Sequence, residues 1–291
     1  VPQGVKLLGV VKADAYGHGA VMLAPTILAS GIDMLGVASI DEGVDLRQAK
    51  IDCDILVLGA VPVWAIESAV KNDISIAIFN NAHLKACEQT FIRTGIKPKV
   101  HIKIDTGMNR IGVRADEAIE FIKDVQKAQY VNLQGIFTHL AAAEELDKTK
   151  LQIEKWDSVI NNIDTKGLIL HILNTVGTIC YDVPNSNMRR VGIALYGLYP
   201  DFPPDIDFYK PKLKQLISLK GRIVNIHTVK DKEGVSYCHT YQAKGDRTIA
   251  TVPLGYADGI PRLLSNKITG TLNGVEVPQV GNITMDQMMF D

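Results

Sequence analysis

The 291-residue chain carries 31 basic and 32 acidic residues, a net charge of −1, and has no basic stripe of the kind that binds nucleic acid. Charged residues make up 22% and hydrophobic residues 46%, as in soluble globular proteins, and no apolar run reaches the roughly 18 residues that a membrane span needs. The four cysteines form no CxxC pair, which favours free thiols in a reducing, cytoplasmic compartment over disulfides or a metal site.

Eight short apolar runs, rich in β-branched residues, recur along the first two thirds of the chain. They span residues 5–11, 34–39, 54–59, 74–79, 99–105, 133–140, 167–174 and 191–198. Helical periodicity fills most of the gaps, as in residues 116–129, where Ala118, Phe121, Ile122 and Val125 share one face. Runs that are apolar throughout suit strands buried on both faces, so the alternation predicts a (β/α)8 barrel. A doubly wound sheet is the alternative, but no GxGxxG motif follows the first run.

The pattern changes after the proline-rich residues 199–214 to strands and turns without a convincing helix. We therefore predict an α/β barrel domain over residues 1–212, followed by a mostly β domain over residues 213–291. The chain begins at Val1 almost directly in a strand and stops at Asp291 just after another. We expect the barrel to lack its first part and the β domain to be truncated at its C-terminus.

Polar side chains fall at the carboxyl ends of the predicted barrel strands, where barrels of this type carry their active sites. They are Lys12 and Tyr16 after the first strand, Lys103, Asp105, Asn109 and Arg110 around the end of the fifth, His139 on the sixth, Asn174 and Thr175 on the seventh, and Arg190 before the eighth. A lone histidine or lysine at a strand end is more often structural than catalytic, so the prediction rests on their joint placement on one rim.

Barrels often bind phosphate with backbone N–H groups after the seventh and eighth strands. Thr175 adds a hydroxyl there, and Gly192 allows close backbone approach. A rim lysine, Lys12, together with a phosphate site indicates pyridoxal 5'-phosphate (PLP), whose aldehyde bonds to a lysine amine.

Seven stretches resemble motifs of the alanine racemase family, in the family's order and spacing. They are VVKADAYGHG (10–19), HIKIDTGMNRIGV (101–113), FTHLAAAEE (137–145), MRRVGIALYGLYP (188–200), GVSYCHTYQA (234–243), VPLGYADGIPR (252–262) and VGNITMDQ (280–287). The resemblance implies a PLP-binding barrel of fold type III, a C-terminal β domain and a homodimer. It also implies interconversion of L- and D-alanine, which supplies D-alanine for peptidoglycan.

The resemblance further assigns roles to individual residues. Lys12 is implied to bond to the cofactor and to serve as the base on one face of the substrate, and Tyr237 as the base on the other face. The implied cofactor contacts are Tyr16, His139, Asn174, Thr175, Arg190, Gly192 and Ile193, and the implied substrate contacts and pocket-entrance residues are Arg110, Met285, Tyr256 and Asp286. Tyr237 and Met285 are implied to enter the site from the other subunit.

Two basic residues refine this interpretation. An arginine at the cofactor's ring nitrogen, here Arg190, donates a hydrogen bond without giving up its proton. The ring then stays a weaker electron sink, which favours a racemase over an aminotransferase or a decarboxylase. Lys103 either pairs with Asp105 on the same strand face or is carbamylated, as in many family members, and then holds Arg110.

Two departures from the family pattern concern the β domain. Cys238 stands where glycine usually follows the motif tyrosine, so a positive φ there would strain the backbone. Thr284 stands where cysteine is common, beside an implied substrate contact. The alternatives that stay open are a serine or broad-specificity racemase, a non-catalytic PLP carrier, and a decarboxylase of the same fold type.

Overall fold

The computed structural model describes residues 4–204 and 206–291, which divide into two compact units. The first unit ends at Ile217 and the second spans Ser218–Asp291. No helix among the described residues is both long and apolar enough to cross a bilayer.

The first unit is a nearly closed barrel of eight parallel strands, as predicted. Its strands are β1 (Lys6–Val10), β2 (Met34–Val37), β3 (Asp54–Val57), β4 (Ser75–Ile78), β5 (Lys99–Asp105), β7 (Asn132–Phe137), β8 (Ile169–His171) and β9 (Met188–Val191), while the two-residue β6 (Val113–Arg114) pairs with the end of β5. Their order is β8-β7-β5-β4-β3-β2-β1-β9. The last strand of the chain in this unit therefore lies beside the first, as closure of a barrel requires.

Helices connect the strands, and most of them cover the outside of the barrel, whereas the first is a turn with left-handed backbone. They are α1 (Lys12–Gly17), α2 (Ala20–Ala29), α3 (Ile40–Gln48), α4 (Ile66–Lys71), α5 (Asn81–Thr94), α6 (Ala118–Lys127), α7 (Leu146–Ile160) and α8 (Thr175–Cys180). Side-chain caps begin several of them: the Asn80 Oδ1 accepts from the His83 N–H at 3.0 Å at the start of α5. The predicted apolar face of α6 is buried, which confirms the helix predicted for that segment.

Successive side chains of a barrel strand point alternately to the core beneath the helices and to the interior of the barrel. On β5, Val100, Ile102 and Ile104 join the large core beneath the helices. His101 and Lys103 alternate with them and are buried on the opposite face of the strand, inside the barrel. This alternation brings polar side chains into the barrel instead of onto its surface.

One predicted strand was misplaced. Residues 191–198 do not form the eighth strand, because β9 ends at Val191 and Ile193–Tyr196 forms a short 3-10 helix. Gly192 breaks the strand with φ −118° and ψ −94°. The turn brings the Tyr196 hydroxyl inward, where it donates to the Val10 carbonyl at 2.7 Å.

The second unit is mostly β, as predicted, and it contains only short 3-10 turns besides strands in its described residues. A five-stranded antiparallel sheet has the order β10-β13-β16-β15-β14, and β11 pairs with β12. Their bounds are β10 (Asn225–Val229), β11 (Gly234–Val235), β12 (Tyr241–Gln242), β13 (Arg247–Val252), β14 (Thr269–Leu272), β15 (Val275–Val280) and β16 (Met288–Phe290).

Candidate active site

A cavity of about 510 Å³ opens at the carboxyl ends of the barrel strands. Ten of the sequence-predicted residues of the first unit line it: Lys12, Tyr16, Lys103, Arg110, His139, Asn174, Thr175, Arg190, Gly192 and Ile193. Asp105 and Asn109, which were also predicted at this rim, are not part of the lining. Four of the ten are cationic, and no carboxylate belongs to the described residues of the lining. The cavity is therefore suited to an anionic ligand.

Lys12 opens a turn with an unusual backbone. Residues 13–16 all have left-handed helical angles, with φ between 51° and 57°. Each such residue costs about 1–2 kcal/mol unless it is glycine, so neighbouring contacts must hold the turn in place. The Glu42 carboxylate accepts from the Ala13 and Ala38 N–H groups at 2.8 and 2.7 Å, and the Asp14 carboxylate accepts from Ala20 N–H at 2.7 Å.

Arg190 is the buried centre of the site, with 3% of its surface exposed. Its Nη1 donates to the His171 Nδ1 and carbonyl at 3.1 and 2.9 Å. Its Nη2 donates to the Thr138 carbonyl at 2.8 Å, and to His139 Nδ1 and the Ile172 carbonyl at 3.2 Å. Burial lowers the pKa of Arg190 to about 9, which leaves the guanidinium charged at neutral pH.

His139 faces the cavity as a neutral ring. Because Arg190 can only donate, His139 Nδ1 is an acceptor and the ring proton is on Nε2. Burial and the positive charges of Arg190 and Lys103 hold the pKa of His139 far below its usual value. A neutral imidazole can pack against a flat aromatic ligand without adding charge.

Lys103 is 3% exposed and forms no ion pair within 4.0 Å among the described residues. The alternative in which it pairs with Asp105 is not realised, and Asp105 Oδ1 accepts from the Gly107 and Asn109 N–H groups at 2.9 and 3.0 Å. The Lys103 ammonium lies 4.5 Å from the centre of the Phe137 ring. Burial and the nearby guanidinium of Arg190 lower the pKa of Lys103 to about 7.

Hydroxyl and backbone groups gather at the other side of the cavity. Thr175 Oγ1 accepts from the Gly192 N–H at 3.0 Å, which leaves the threonine O–H free to donate. A Cβ on Gly192 would lie 2.9 Å from the Tyr16 hydroxyl oxygen, so only glycine lets that hydroxyl sit against the backbone. Asn174 has a structural contact, since its Oδ1 accepts from the Gly177 N–H at the start of α8.

The remaining predicted site residues, Tyr237, Tyr256, Met285 and Asp286, belong to the second unit. Tyr237 is 70% exposed and Met285 58% exposed. Residues 282–286 contact two short turns, one that begins at Tyr237 and one that begins at Tyr256. Asn282 Nδ2 donates to the Tyr237 carbonyl at 2.7 Å, and the Ala257 N–H donates to the Met285 carbonyl at 2.9 Å. The Tyr256 N–H also donates to the Thr284 carbonyl at 3.0 Å, so backbone hydrogen bonds join the Tyr256 turn to the segment that carries Met285 and Asp286.

Cys238 has φ +62°, in the region that favours glycine. We expect Cys238→Gly to raise the free energy of unfolding by about 1 kcal/mol, because the left-handed conformation penalises a Cβ by about 1–2 kcal/mol. Urea unfolding would measure this change. Cys238→Ala is the matched control, since it removes the thiol and keeps the Cβ. Equal stabilisation by both variants would contradict the backbone explanation.

Sequence reasoning did not single out His171 and Phe137. Both are buried next to Arg190, and their rings stack with centroids 4.7 Å apart. The signal was weak: His171 is a polar residue within an otherwise apolar run, and nothing local indicates which side of the strand it occupies.

Comparisons with known proteins agree with this arrangement. A family model described as alanine racemase, N-terminal domain, matches residues 1–200, and one described as alanine racemase, C-terminal domain, matches residues 216–291. Alanine racemase 1 of Oceanobacillus iheyensis is 39% identical over 98% of this chain and 77% of its own length. The solved alanine racemase of Clostridium difficile 630 is 36% identical, with a TM-score of 0.89 over 100% of this chain and 77% of that chain.

A solved histidine racemase from Leuconostoc mesenteroides is also similar, at 27% identity. Its TM-score is 0.86 over 99% of this chain and 78% of that chain. The same architecture therefore occurs in proteins named for different amino acids.

Proposed function

Since the chain belongs to the alanine racemase family, we propose that it is a PLP-dependent racemase that interconverts L- and D-alanine and supplies D-alanine for peptidoglycan. The observation that carries the proposal is the cavity that combines Lys12 with the buried Arg190 and the neutral His139. We propose that the enzyme works in the cytoplasm, where its four free cysteines remain reduced.

The cavity residues fit PLP. Tyr16 and Thr175 offer hydroxyl donors to a phosphate, next to the backbone of Gly192 and Ile193. All four Nη hydrogens of Arg190 have acceptors, whereas its Nε–H has none among the described residues and is left for a ring nitrogen. His139 offers a neutral face to the ring. When bound, PLP supplies an electron sink that acidifies the Cα–H of an attached amino acid.

Two bases on opposite faces of the substrate account for racemisation. In the proposal, Lys12 takes or returns the Cα proton on one face and Tyr237 does so on the other. A phenol has a pKa near 10, so it works as a base only where positive charge stabilises the phenolate. Arg190 contributes by remaining a hydrogen-bond donor, which limits the charge that spreads into the ring and disfavours transamination.

Arg110 and the Met285 backbone are proposed to bind the substrate carboxylate, and Tyr256 and Asp286 to form the pocket entrance. Arg110 lines the cavity that also contains Lys103. We propose that the Lys103 amine adds to CO2: a new N–C bond forms, one proton leaves the nitrogen, and a carbamate anion results. That anion would then balance the cations around it and orient Arg110.

We expect 13C-labelled bicarbonate at pH 8 to give one carbamate carbon resonance per chain, absent from Lys103→Met. With a Lys103 pKa of about 7, the neutral amine that reacts dominates above pH 7, so the resonance should be lost as the pH falls to 6. Lys99→Met, which removes a lysine on the same strand that is paired with Asp73, is the matched control and should keep the signal. A signal that survives in Lys103→Met would contradict the assignment.

The proposed homodimer completes the site by bringing Tyr237 and Met285 from the second subunit. The direct test of the function is racemisation of L-alanine and L-serine side by side, together with a visible spectrum of the PLP-loaded protein. Turnover that is fastest with alanine supports the proposal. Faster turnover with serine would indicate a serine or broad-specificity racemase. The similarity to a histidine racemase supports this alternative, because it shows that the architecture occurs with another amino acid in the name. A cofactor band without racemisation of either amino acid would indicate a carrier or another PLP enzyme.

A further inference from the structure

Two buried histidines, His171 and His101, extend a chain of hydrogen bonds from Arg190 away from the cavity. His171 Nδ1 lies 3.1 Å from Arg190 Nη1, and His171 Nε2 lies 3.1 Å from His101 Nδ1. Both histidines have 0% exposed surface. His101 does not line the cavity, so the proposed chemistry gives it no direct part.

The donor properties of arginine fix the direction of this chain of hydrogen bonds. A guanidinium only donates, so His171 Nδ1 must be an unprotonated acceptor and the His171 proton must be on Nε2. That Nε2–H points at His101 Nδ1, which must therefore also be unprotonated. The His101 proton is then on Nε2, a buried atom that has no partner among the described residues.

Protonation of either ring would put a proton on a nitrogen that has to accept a hydrogen bond in this order, and the surroundings oppose it. Burial lowers the pKa of His101 to about 3. Burial and the charge of Arg190 hold the pKa of His171 well below its usual value. Both imidazoles are therefore neutral near pH 7, and each has a single tautomer.

The packing around the two rings holds them in place. Phe137 stacks on His171 at an interplanar angle of 8°. On the strand beside His101, a Cβ on Gly135 would lie 2.6 Å from His101 Nδ1, so the absence of a side chain there makes room for the ring. His101 is thus fitted into a specific space, with its acceptor nitrogen aimed at His171.

We propose that His101 is a positioning residue: by accepting from His171 Nε2–H it holds the His171 ring in the orientation in which Nδ1 meets Arg190, and this keeps Arg190 oriented with its Nε–H free for the cofactor. This inference rests on the proposed function, because it assigns Arg190 to the cofactor. Without the acceptor, a buried N–H loses its partner and His171 is free to turn away from Arg190. The loss of this hydrogen bond corresponds to a fall of roughly tenfold in PLP affinity and in kcat.

The first experiment is independent of activity. Nitrogen NMR of protein labelled with 15N-histidine reports which ring nitrogen carries the proton. We expect His101 and His171 both to be Nε2–H tautomers that do not titrate between pH 6 and 9, each assigned by loss of its signal in a single-site variant. A His171 ring protonated on Nδ1, or either ring titrating in this range, would overturn the inference even if the protein proved not to be a racemase.

The second experiment compares two variants of the PLP-loaded enzyme. His101→Leu removes the acceptor, and we expect PLP affinity and kcat each to fall roughly tenfold while the KM for alanine stays within about twofold. His101→Asn places an amide oxygen near the position of Nδ1, and we expect it to restore most of both values. His83→Leu removes a buried histidine whose ring contacts Asn80 and Val61, far along the chain from Arg190. This control should lower stability and leave PLP affinity unchanged.

Wild-type affinity and kcat in His101→Leu would overturn the inference, and so would an equal loss in His101→Asn, since that would indicate packing instead of hydrogen bonding. A wild-type protein that binds PLP but does not racemise alanine would contradict the proposed function instead. The affinity comparison and the NMR result would still decide the role of His101.

Discussion

Replacing Lys12 with alanine is expected to abolish alanine racemisation in both directions. In the proposed mechanism the variant loses the amine that bonds to the cofactor and the base on one face of the substrate, two contributions that together amount to at least about 10⁴-fold. Circular dichroism should show a folded protein, because the Lys12 side chain is exposed to the cavity and contributes little packing. The measurement is the initial rate from each enantiomer, followed with a D-amino-acid or L-amino-acid detection enzyme.

A small primary amine provides the control. We expect methylamine to restore part of the activity of Lys12→Ala, because it fits the space that the lysine side chain leaves. Lys85→Ala, on the outer helix α5 (Asn81–Thr94), should behave like the wild type in every assay. Residual racemisation by Lys12→Ala above about 1% of the wild-type rate, without added amine, would exclude Lys12 as an essential base.

Tyr237→Phe is expected to lower racemisation by about 10²–10⁴-fold, the usual contribution of a general acid or base. The variant should lose Cα proton exchange on only one face of the substrate. In D2O, the enantiomer whose Cα–H faces Lys12 should still exchange its proton for deuterium, whereas the other enantiomer should not. Mass spectrometry of alanine recovered from separate L- and D-alanine incubations measures both exchange rates. Equal exchange of both enantiomers would exclude a second base at Tyr237.

The same two variants test the proposed dimer. If each site takes Tyr237 from the other subunit, a mixed dimer of Lys12→Ala and Tyr237→Phe chains contains one site with both native bases. We therefore expect refolding the two inactive variants together to recover activity, whereas refolding either one alone should not. If the mixture stays inactive although mixed dimers are present, Lys12 and Tyr237 act from the same chain.

The order of elements and the type of chemistry could be predicted from the sequence because both depend on local patterns. Apolar runs that alternate with segments of helical periodicity predict a barrel. The pattern of strands and turns without a helix after residue 214 predicts a β domain. The placement of Lys12, His139 and Thr175 around one cavity could be predicted because barrel strands end on one rim. The glycine that usually follows the motif tyrosine indicated that a positive φ at Cys238 would strain the backbone, and the structure has φ +62° there.

The tertiary structure alone decided the contacts between distant segments. The eighth strand lies at Met188–Val191 because it pairs with β1 (Lys6–Val10), a partner more than 170 residues away in the chain. Lys103 has no ion pair with Asp105, although the two share a strand face, and Asp105 Oδ1 instead accepts from two backbone N–H groups. The line from Arg190 through His171 to His101 joins three strands, so no local spacing encodes it. Its polarity follows from a physical rule that acts only once the side chains meet: a guanidinium can donate but not accept.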